Sequence, residues 1–319
     1  MSVRSCVGAR HGGRGHARAA LWLRAFAPLA LVAVAVPAVA GYAAYSLTRV
    51  KRVDVRPLPS SLGCEYEEVA FPSRVDGLRL RGWFLPARPA EAARSVILLH
   101  GHERHRADPT IGILDLAAML VDRGYNVLAF DMRGHGESAG DFKSFGFFET
   151  RDLLGAVDYL ERRGGAGQWI GVVGFSMGAA TAILAAADEP RIRAVVADSC
   201  FADFRELLEE ALPRYSGLPS PLTPAILLMS RLLLGVDVEA LRPERQVGRL
   251  SPRPLLVIHG EADDTVPLAH ARRLAAACPA ASLWVVAAAN HSRAFKAQPE
   301  EYLRRIEETF ARALPQPVP

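Results

Sequence analysis

Lysine is nearly missing from this chain: only Lys51, Lys143 and Lys296 occur in 319 residues, although Lys and Arg together number 38. That scarcity, with an excess of Ala and Arg, fits a GC-rich bacterial genome. Cysteine is scarce too. Cys6, Cys64, Cys200 and Cys278 show no C-x-x-C spacing, so neither a disulfide framework nor a zinc site can be read from them. There is no internal repeat, and no biased segment beyond the first residues. Excess positive charge is also absent from the bulk of the chain. Residues 1–56 hold nine Lys and Arg and one acid, Asp54, which leaves 29 basic and 33 acidic residues elsewhere. A mildly acidic body argues against nucleic acid as a partner, because phosphate binding needs a basic patch on the folded surface.

Charge is wholly lacking between Ala25 and Leu47, a run of 23 residues. A membrane span needs about 20 such residues. Arg4, Arg10, Arg14, Arg18 and Arg24 precede the run, and Arg49, Lys51, Arg52 and Arg56 follow it. Tyr42 and Tyr45 suit an interface, where amphipathic rings are favoured. The expectation is a basic head over 1–24, a single anchor over 25–47 and a linker over 48–63, placing the chain in a bacterial inner membrane. Ala38-Val39-Ala40 also resembles a signal-peptidase site, and cleavage near Ala40 would release an exported protein. An organelle transit peptide fits less well, because the apolar run is too long. Basic residues on both flanks leave the orientation open.

Beyond the linker, Glu65–Phe71 and Leu78–Leu85 read as a strand pair joined at Asp76-Gly77. From residue 95 onward short apolar runs alternate with helical stretches. Strands are expected at Ser95–Leu99, Asn126–Phe130, Ile170–Val173, Ile192–Ala197, Pro254–Ile258 and Leu283–Val286. Helices are expected over 109–123, 147–163, 177–187, 267–277 and 299–313. Continuous apolar runs between helices mean buried parallel strands with crossover helices, an α/β class. The stretch 201–250 is too long for a simple crossover. Two helical segments in it, 203–212 and 223–234, are expected to be broken by Pro213, Pro219, Pro221 and Pro224. It reads as a helical cap over the carboxyl edge of the sheet, where open α/β sheets bind ligands. Leu227, Leu228, Leu232, Leu233 and Leu234 either line an apolar pocket or pack the cap onto the body. A short tail, 315–319, follows the last helix.

The chemistry concentrates at Gly174-Phe175-Ser176-Met177-Gly178. The apolar run Gln168–Val173 precedes it and a helix-forming run follows. A serine on a sharp strand-to-helix turn is a nucleophile elbow, and the turn needs small neighbours. Its hydroxyl requires a base, and the base requires an acid to hold its tautomer. In this topology the order is Ser, then Asp or Glu, then His. His291, in Asn290-His291-Ser292, is the candidate base. Asp263, just past the strand ending at Ile258, is the favoured acid, with Asp264 and Asp198 as alternatives. The oxyanion needs backbone donors: Met177 N–H from the elbow, and His102 N–H from the loop after the first buried strand. His102-Glu103-Arg104-His105 falls one residue short of a zinc-binding H-E-x-x-H, so no metal is expected. Arg133-Gly134-His135-Gly136-Glu137-Ser138 fails the glycine spacing of a dinucleotide fingerprint, so no cofactor is expected there either.

These residues together resemble the α/β-hydrolase superfamily over about 64–314. The carriers are Leu99-His100-Gly101, Asp131–Ser138, the elbow, His259-Gly260-x-x-Asp263-x-x-Val266-Pro267 and Asn290-His291. The chain is most similar to a bacterial branch with an N-terminal membrane segment, near the serine-aminopeptidase-like hydrolases (S33 type) and membrane-anchored eukaryotic relatives. The resemblance implies a mostly parallel sheet with helices on both faces, Ser176, Asp263 and His291 as triad, and Met177 and His102 as oxyanion donors. The loop after Gly101 departs from the family, carrying His-Glu-Arg-His-Arg where many relatives have small residues. The expected activity is hydrolysis of small or lipid-like carboxylic esters through an acyl-enzyme, without metal or organic cofactor. Thioester or peptide cleavage would use the same residues, and a non-catalytic binding protein of this shape is the reading from another class. Oligomeric state is not legible.

Overall fold

The computed structural model describes residues 13–88, 94–164 and 169–314, with side chains described from Leu29 onward except Tyr215. Residues 1–12 of the expected head, Gln168 and the tail 315–319 lie outside the described residues. The first helix, α1 (Gly13–Thr48), runs unbroken through Pro28 and Pro37. A hairpin follows, β1 (Glu67–Pro72) and β2 (Arg79–Leu85), turning where Asp76-Gly77 predicts.

Strands and helices then alternate: β3 (Arg94–Leu99), α2 (Ile113–Asp122), β4 (Asn126–Asp131), α3 (Glu149–Arg163), β5 (Trp169–Phe175), α4 (Met177–Ala186) and β6 (Ile192–Asp198). The cap comes next, with α5 (Phe204–Ser216), α6 (Thr223–Leu234) and a short α7 (Pro243–Gln246). The sheet resumes with β7 (Leu255–Gly260), α8 (Leu268–Ala276), β8 (Ala281–Val286), a short α9 (Ala294–Ala297) and α10 (Pro299–Ala311). The order across the sheet is β1-β2-β4-β3-β5-β6-β7-β8. Only the β1–β2 and β2–β4 pairs are antiparallel.

The continuous apolar runs follow from burial on both faces, since successive side chains of a strand point to opposite sides. In β3, Ile97 and Leu99 join a core with Leu153 of α3 and Ile183 of α4. Val96 and Leu98 join the opposite core with Leu116 of α2 and Phe310 of α10. Strand β5 is buried at all its positions, and the serine follows directly at its carboxyl end.

One expected break is absent. Pro213 does not end its helix: α5 continues to Ser216 and closes at Gly217, whose φ of 69° is left-handed. A proline inside a helix leaves the carbonyl four residues earlier without its donor. Here that carbonyl, Glu209 O, accepts from Ser220 Oγ at 3.1 Å, so the missing bond is replaced from the next segment.

Strand β5 and helix α4 meet at unusually close range. A Cβ placed on Gly174 would stand 2.3 Å from the Gly178 carbonyl oxygen, and one on Gly178 would stand 2.6 Å from the carbonyls of Leu99 and His100. Both obstacles are backbone, which cannot swing aside. Gly174→Ala is therefore expected to destabilise the fold by about 1–3 kcal/mol, the usual range for overpacking. Thermal unfolding of the two proteins side by side checks this; an unchanged Tm would mean that the turn relaxes freely.

Candidate active site

Ser176 occupies the junction itself. Its backbone has φ 52° and ψ −115°, outside the regions that non-glycine residues ordinarily occupy, and its N–H donates to Asp198 O at 2.8 Å. Residue 177 begins α4, so the Met177 N–H belongs to the first turn, where amide groups have no intrahelical acceptor. The positive end of the helix dipole lies at the same place.

The loop after β7 delivers Asp263, and the loop after β8 delivers His291. His291 Nδ1 stands 2.8 Å from Asp263 Oδ2. A carboxylate can only accept, so Nδ1 carries a proton, and in the neutral ring this tautomer leaves the lone pair on Nε2. Asp263 Oδ1 accepts from Thr265 N–H at 2.9 Å and Val266 N–H at 2.8 Å. Burial alone would raise the Asp263 pKa, but the His291 hydrogen bond and charge, the Val266 N–H and His259 outweigh it and leave the carboxyl below its ordinary value. Asn290 ties the two loops together, its Oδ1 accepting from His291 N–H at 2.6 Å and Asp264 N–H at 3.3 Å.

Two cavities flank the serine. One, of about 420 Å³, is walled by Ser176 and His291 with Arg104, Asp264, Asn290 and Arg293, and also by Ile111 and Phe175, so its lining is mixed. The other, of about 460 Å³, contains Ser176 and Met177 with Phe145, Phe201, Phe204, Leu207, Leu208 and Leu212. His102 borders both. The serine thus sits between a compartment of mixed lining that carries charged side chains and a predominantly apolar one.

Of the two alternative acids, Asp264 bonds no imidazole: its carboxylate accepts from the Thr265 hydroxyl at 3.2 Å. Asp198 is wholly buried and accepts from Ser199 Oγ at 2.9 Å and Tyr302 OH at 3.1 Å. Ser199 Oγ in turn accepts from Ser292 N–H at 2.8 Å, so Asp198 braces the segment next to His291. Leucines of α6 do not wall the apolar cavity. That wall is supplied by α5, while Leu227 and Leu234 pack on the core and Leu228, Leu232 and Leu233 are exposed. The expected ambiguity over the cap leucines therefore resolves toward packing and surface.

Two further histidines, His100 and His135, serve as braces for the loop carrying His102. His100 Nδ1 faces Gly101 O at 2.7 Å, and its Nε2 accepts from Met132 N–H at 3.0 Å. His135 repeats the arrangement, with Nδ1 facing Arg133 O at 2.8 Å and Nε2 accepting from Glu103 N–H at 3.1 Å. A ring that must accept on one nitrogen and donate from the other is neutral. Burial pushes both pKa values below the ordinary range, in agreement with that geometry. Among the described residues no His, Cys, Asp or Glu cluster could hold a metal ion.

Sequence reasoning missed Lys143 and its pairing with Glu103. The buried Lys143 ammonium lies 3.1 Å from Glu103 Oε1 and 3.0 Å from Arg49 O, joining the His102 loop to the end of α1. A lone lysine in a loop carries no periodic signal. Its rarity in this chain is the one hint the sequence offers.

Burial raises the Asp198 pKa from 3.8 to about 7, even though the Ser199 and Tyr302 hydroxyls act against the shift. Between those values the folded chain holds a proton that the unfolded chain has lost, so this group's contribution to stability falls as pH rises toward about 7. Asp198→Asn removes the titration. Its Tm, taken relative to the parent, is expected to rise from pH 5 to pH 8. Parallel Tm curves for the two proteins across that range would refute the assignment.

Comparisons with known proteins agree with this architecture. Residues 94–220 match a family model described as alpha/beta hydrolase fold. The uncharacterized protein YqkD of Bacillus subtilis is 32% identical over 215 residues, 66% of this chain and 68% of that protein. The uncharacterized protein YfhR of Escherichia coli K12 is 31% identical over 213 residues, 65% of this chain and 66% of its own length. The chain thus spans about two thirds of the length of these relatives. The Pyrococcus furiosus esterase Pf2001 superposes with a TM-score of 0.69 at 28% identity, covering 83% of this chain and 100% of that one. Sheet order, elbow and sequence relatives together make this chain a member of the α/β-hydrolase superfamily.

Proposed function

We propose that the protein is a serine hydrolase that cleaves carboxylic esters through an acyl-enzyme. The observation that carries this reading is the Asp263–His291 pair at 2.8 Å on the rim of the cavity that holds Ser176. His291 Nε2 takes the Ser176 proton as Oγ attacks the ester carbonyl. Asp263 stabilises the imidazolium that results. The N–H groups of Met177 and His102 receive the oxyanion, each donor contributing roughly 3 kcal/mol to the transition state. The imidazolium then gives its proton to the departing alkoxide. Water, deprotonated by the same nitrogen, frees the acyl group and restores the serine. Every proton is accounted for within the triad, without metal or organic cofactor.

The two cavities support a division of the substrate between them. The apolar compartment suits the acyl chain, and the one of mixed lining, with Arg104 and Arg293, suits the leaving group and water. Ester is favoured over amide because an alkoxide leaves more easily than an amine anion. The esterase Pf2001 supports the reading through its similarity to this chain.

Residues Leu29–Thr48 form a helix long and apolar enough to cross a membrane, with a mean hydropathy of 1.8. We read α1 as a retained anchor. Leu29, Leu31, Val32 and Val34 are largely exposed, unlike the side chains of a soluble core helix. Ala40, after which a signal peptidase would cut, is fully buried against the cap with Leu208, Leu212 and Ile226.

A fluorophosphonate probe tests the chemistry. Labelling is expected for the parent protein and absent for Ser176→Ala, and ester turnover in Asp263→Asn should drop by about 10⁴-fold. An unlabelled parent would leave a binding protein in place of an enzyme. Turnover of aminoacyl-anilides in preference to p-nitrophenyl esters would move the substrate class to amides.

A further inference from the structure

The apolar cavity has a wall that does not belong to the catalytic body. Besides side chains of α5 and the 145 loop, Ser46 and Leu47 border it, both from the last turn of α1. We propose that the end of the membrane helix is part of the acyl-binding site, and that Leu47 sets which acyl chains the pocket accepts. This rests on the reading of Ser176 as nucleophile and of the apolar cavity as the acyl side.

A tether could not serve as a wall unless it were fixed, and α1 is fixed in three ways. First, its small-residue face packs on the cap. Ala40 and Ala44 are buried with Leu208, Leu212 and Ile226. The approach is close enough that a Cβ on Gly41 would stand 3.4 Å from both Leu233 Cδ1 and Met229 Cε. Second, the helix end is bonded to the loop beside the cavity. Lys143 N–H donates to Thr48 O at 2.8 Å, and Lys143 Nζ donates to Arg49 O at 3.0 Å. The same ammonium holds Glu103, the neighbour of His102, at 3.1 Å. Third, the Arg52 guanidinium donates to the carbonyls of Gly136, Ser138 and Gly140 at 2.8, 2.7 and 2.6 Å. Buried ammonium, three-carbonyl clamp and close helix packing leave the last turn of α1 no freedom to drift from the cavity.

The length of the span gives the substrate class. At 1.5 Å per residue the uncharged stretch from Ala25 to Ala40 reaches roughly 24 Å, short of a hydrocarbon core of about 30 Å. Adding Gly41–Leu47 brings it to roughly 35 Å. Spanning therefore draws the docked part of α1 toward the hydrocarbon boundary, and with it the exposed Leu228, Leu232 and Leu233 of α6. The acyl cavity then lies at the depth of lipid chains, and the ligand is an ester whose long acyl chain resides in the bilayer.

The test uses the full chain in nanodiscs, with kcat/KM measured for p-nitrophenyl decanoate and acetate. Leu47→Trp fills the wall and is expected to lower the decanoate-to-acetate ratio at least tenfold. Leu47→Ala opens it and should raise the ratio, which covers the case in which the larger side chain prevents folding. Val34→Trp, on the exposed face of the same helix, should leave the ratio unchanged. A ratio unmoved by both Leu47 variants, or moved as much by Val34→Trp, would overturn the proposal. Calorimetric titration with octanoate needs no turnover, and binding at least tenfold weaker in Leu47→Trp is expected. Octanoate bound equally by parent and variant would refute the wall even if Ser176 proved unreactive, whereas loss of Ser176 labelling alone would strike only the catalytic reading.

Discussion

The site depends on one strained residue. Ser176 is held at φ 52° because β5 must end and α4 must begin within the same residue. Backbone in such a region costs of order 1–3 kcal/mol and persists only where its surroundings over-determine it. Those surroundings are a fully buried strand on one side and a helix buried on nearly every face on the other. Gly174 lets the end of β5 approach the first turn of α4, and Gly178 lets that turn approach the end of β3. The strained turn leaves Ser176 lining both cavities, with the first residue of α4 directly after it.

A second constraint keeps the loop after β3 in register with that amide. His100 and His135 are locked as neutral rings, each donating to a carbonyl and accepting a backbone N–H. Their lowered pKa values and their hydrogen-bond roles have a common origin in burial. Protonation would turn an acceptor nitrogen toward another N–H and set two donors face to face. These imidazoles therefore act as polar struts, and their number near the serine reflects how much buried backbone the His102 loop must satisfy.

Much of this was legible in the sequence because the signals were local. Every strand from β3 to β8 coincides with an apolar run, and Ser176, Asp263 and His291 each belong to the turn or loop at the carboxyl end of one, which is why the sequence could place all three at the same edge of the sheet. Pro213 misled because its lost hydrogen bond is replaced by Ser220, seven residues on, and nothing in the proline itself announces a replacement. Asp198 looked like a rival acid because it also ends a strand. Its carboxyl is instead occupied by Ser199 and Tyr302, and Tyr302 comes from α10, far along the chain. The α6 leucines matched a pocket lining by composition, yet composition does not say which helix of a cap faces inward. Lys143 was invisible for the same reason: its partners lie at Glu103 and Arg49, and only folding brings them together.

On the proposed reading of α1 as an anchor, helix and hydrolase body are better regarded as one unit than as a domain on a string. A flexible tether would leave the orientation of the cleft to chance, and each productive encounter with a bilayer would require that orientation to be found and fixed. Here the entropy of fixing it has already been lost on folding, through the Lys143 and Arg52 contacts and the packing of α1 on the cap. The cap gains from the same arrangement. α6 presents Leu228, Leu232 and Leu233 outward, which would be unfavourable in water but is matched by the exposed apolar side chains of the adjoining α1. A helix that served only as a membrane anchor would need none of these contacts, so their presence supports the proposal that α1 contributes to the site around Ser176.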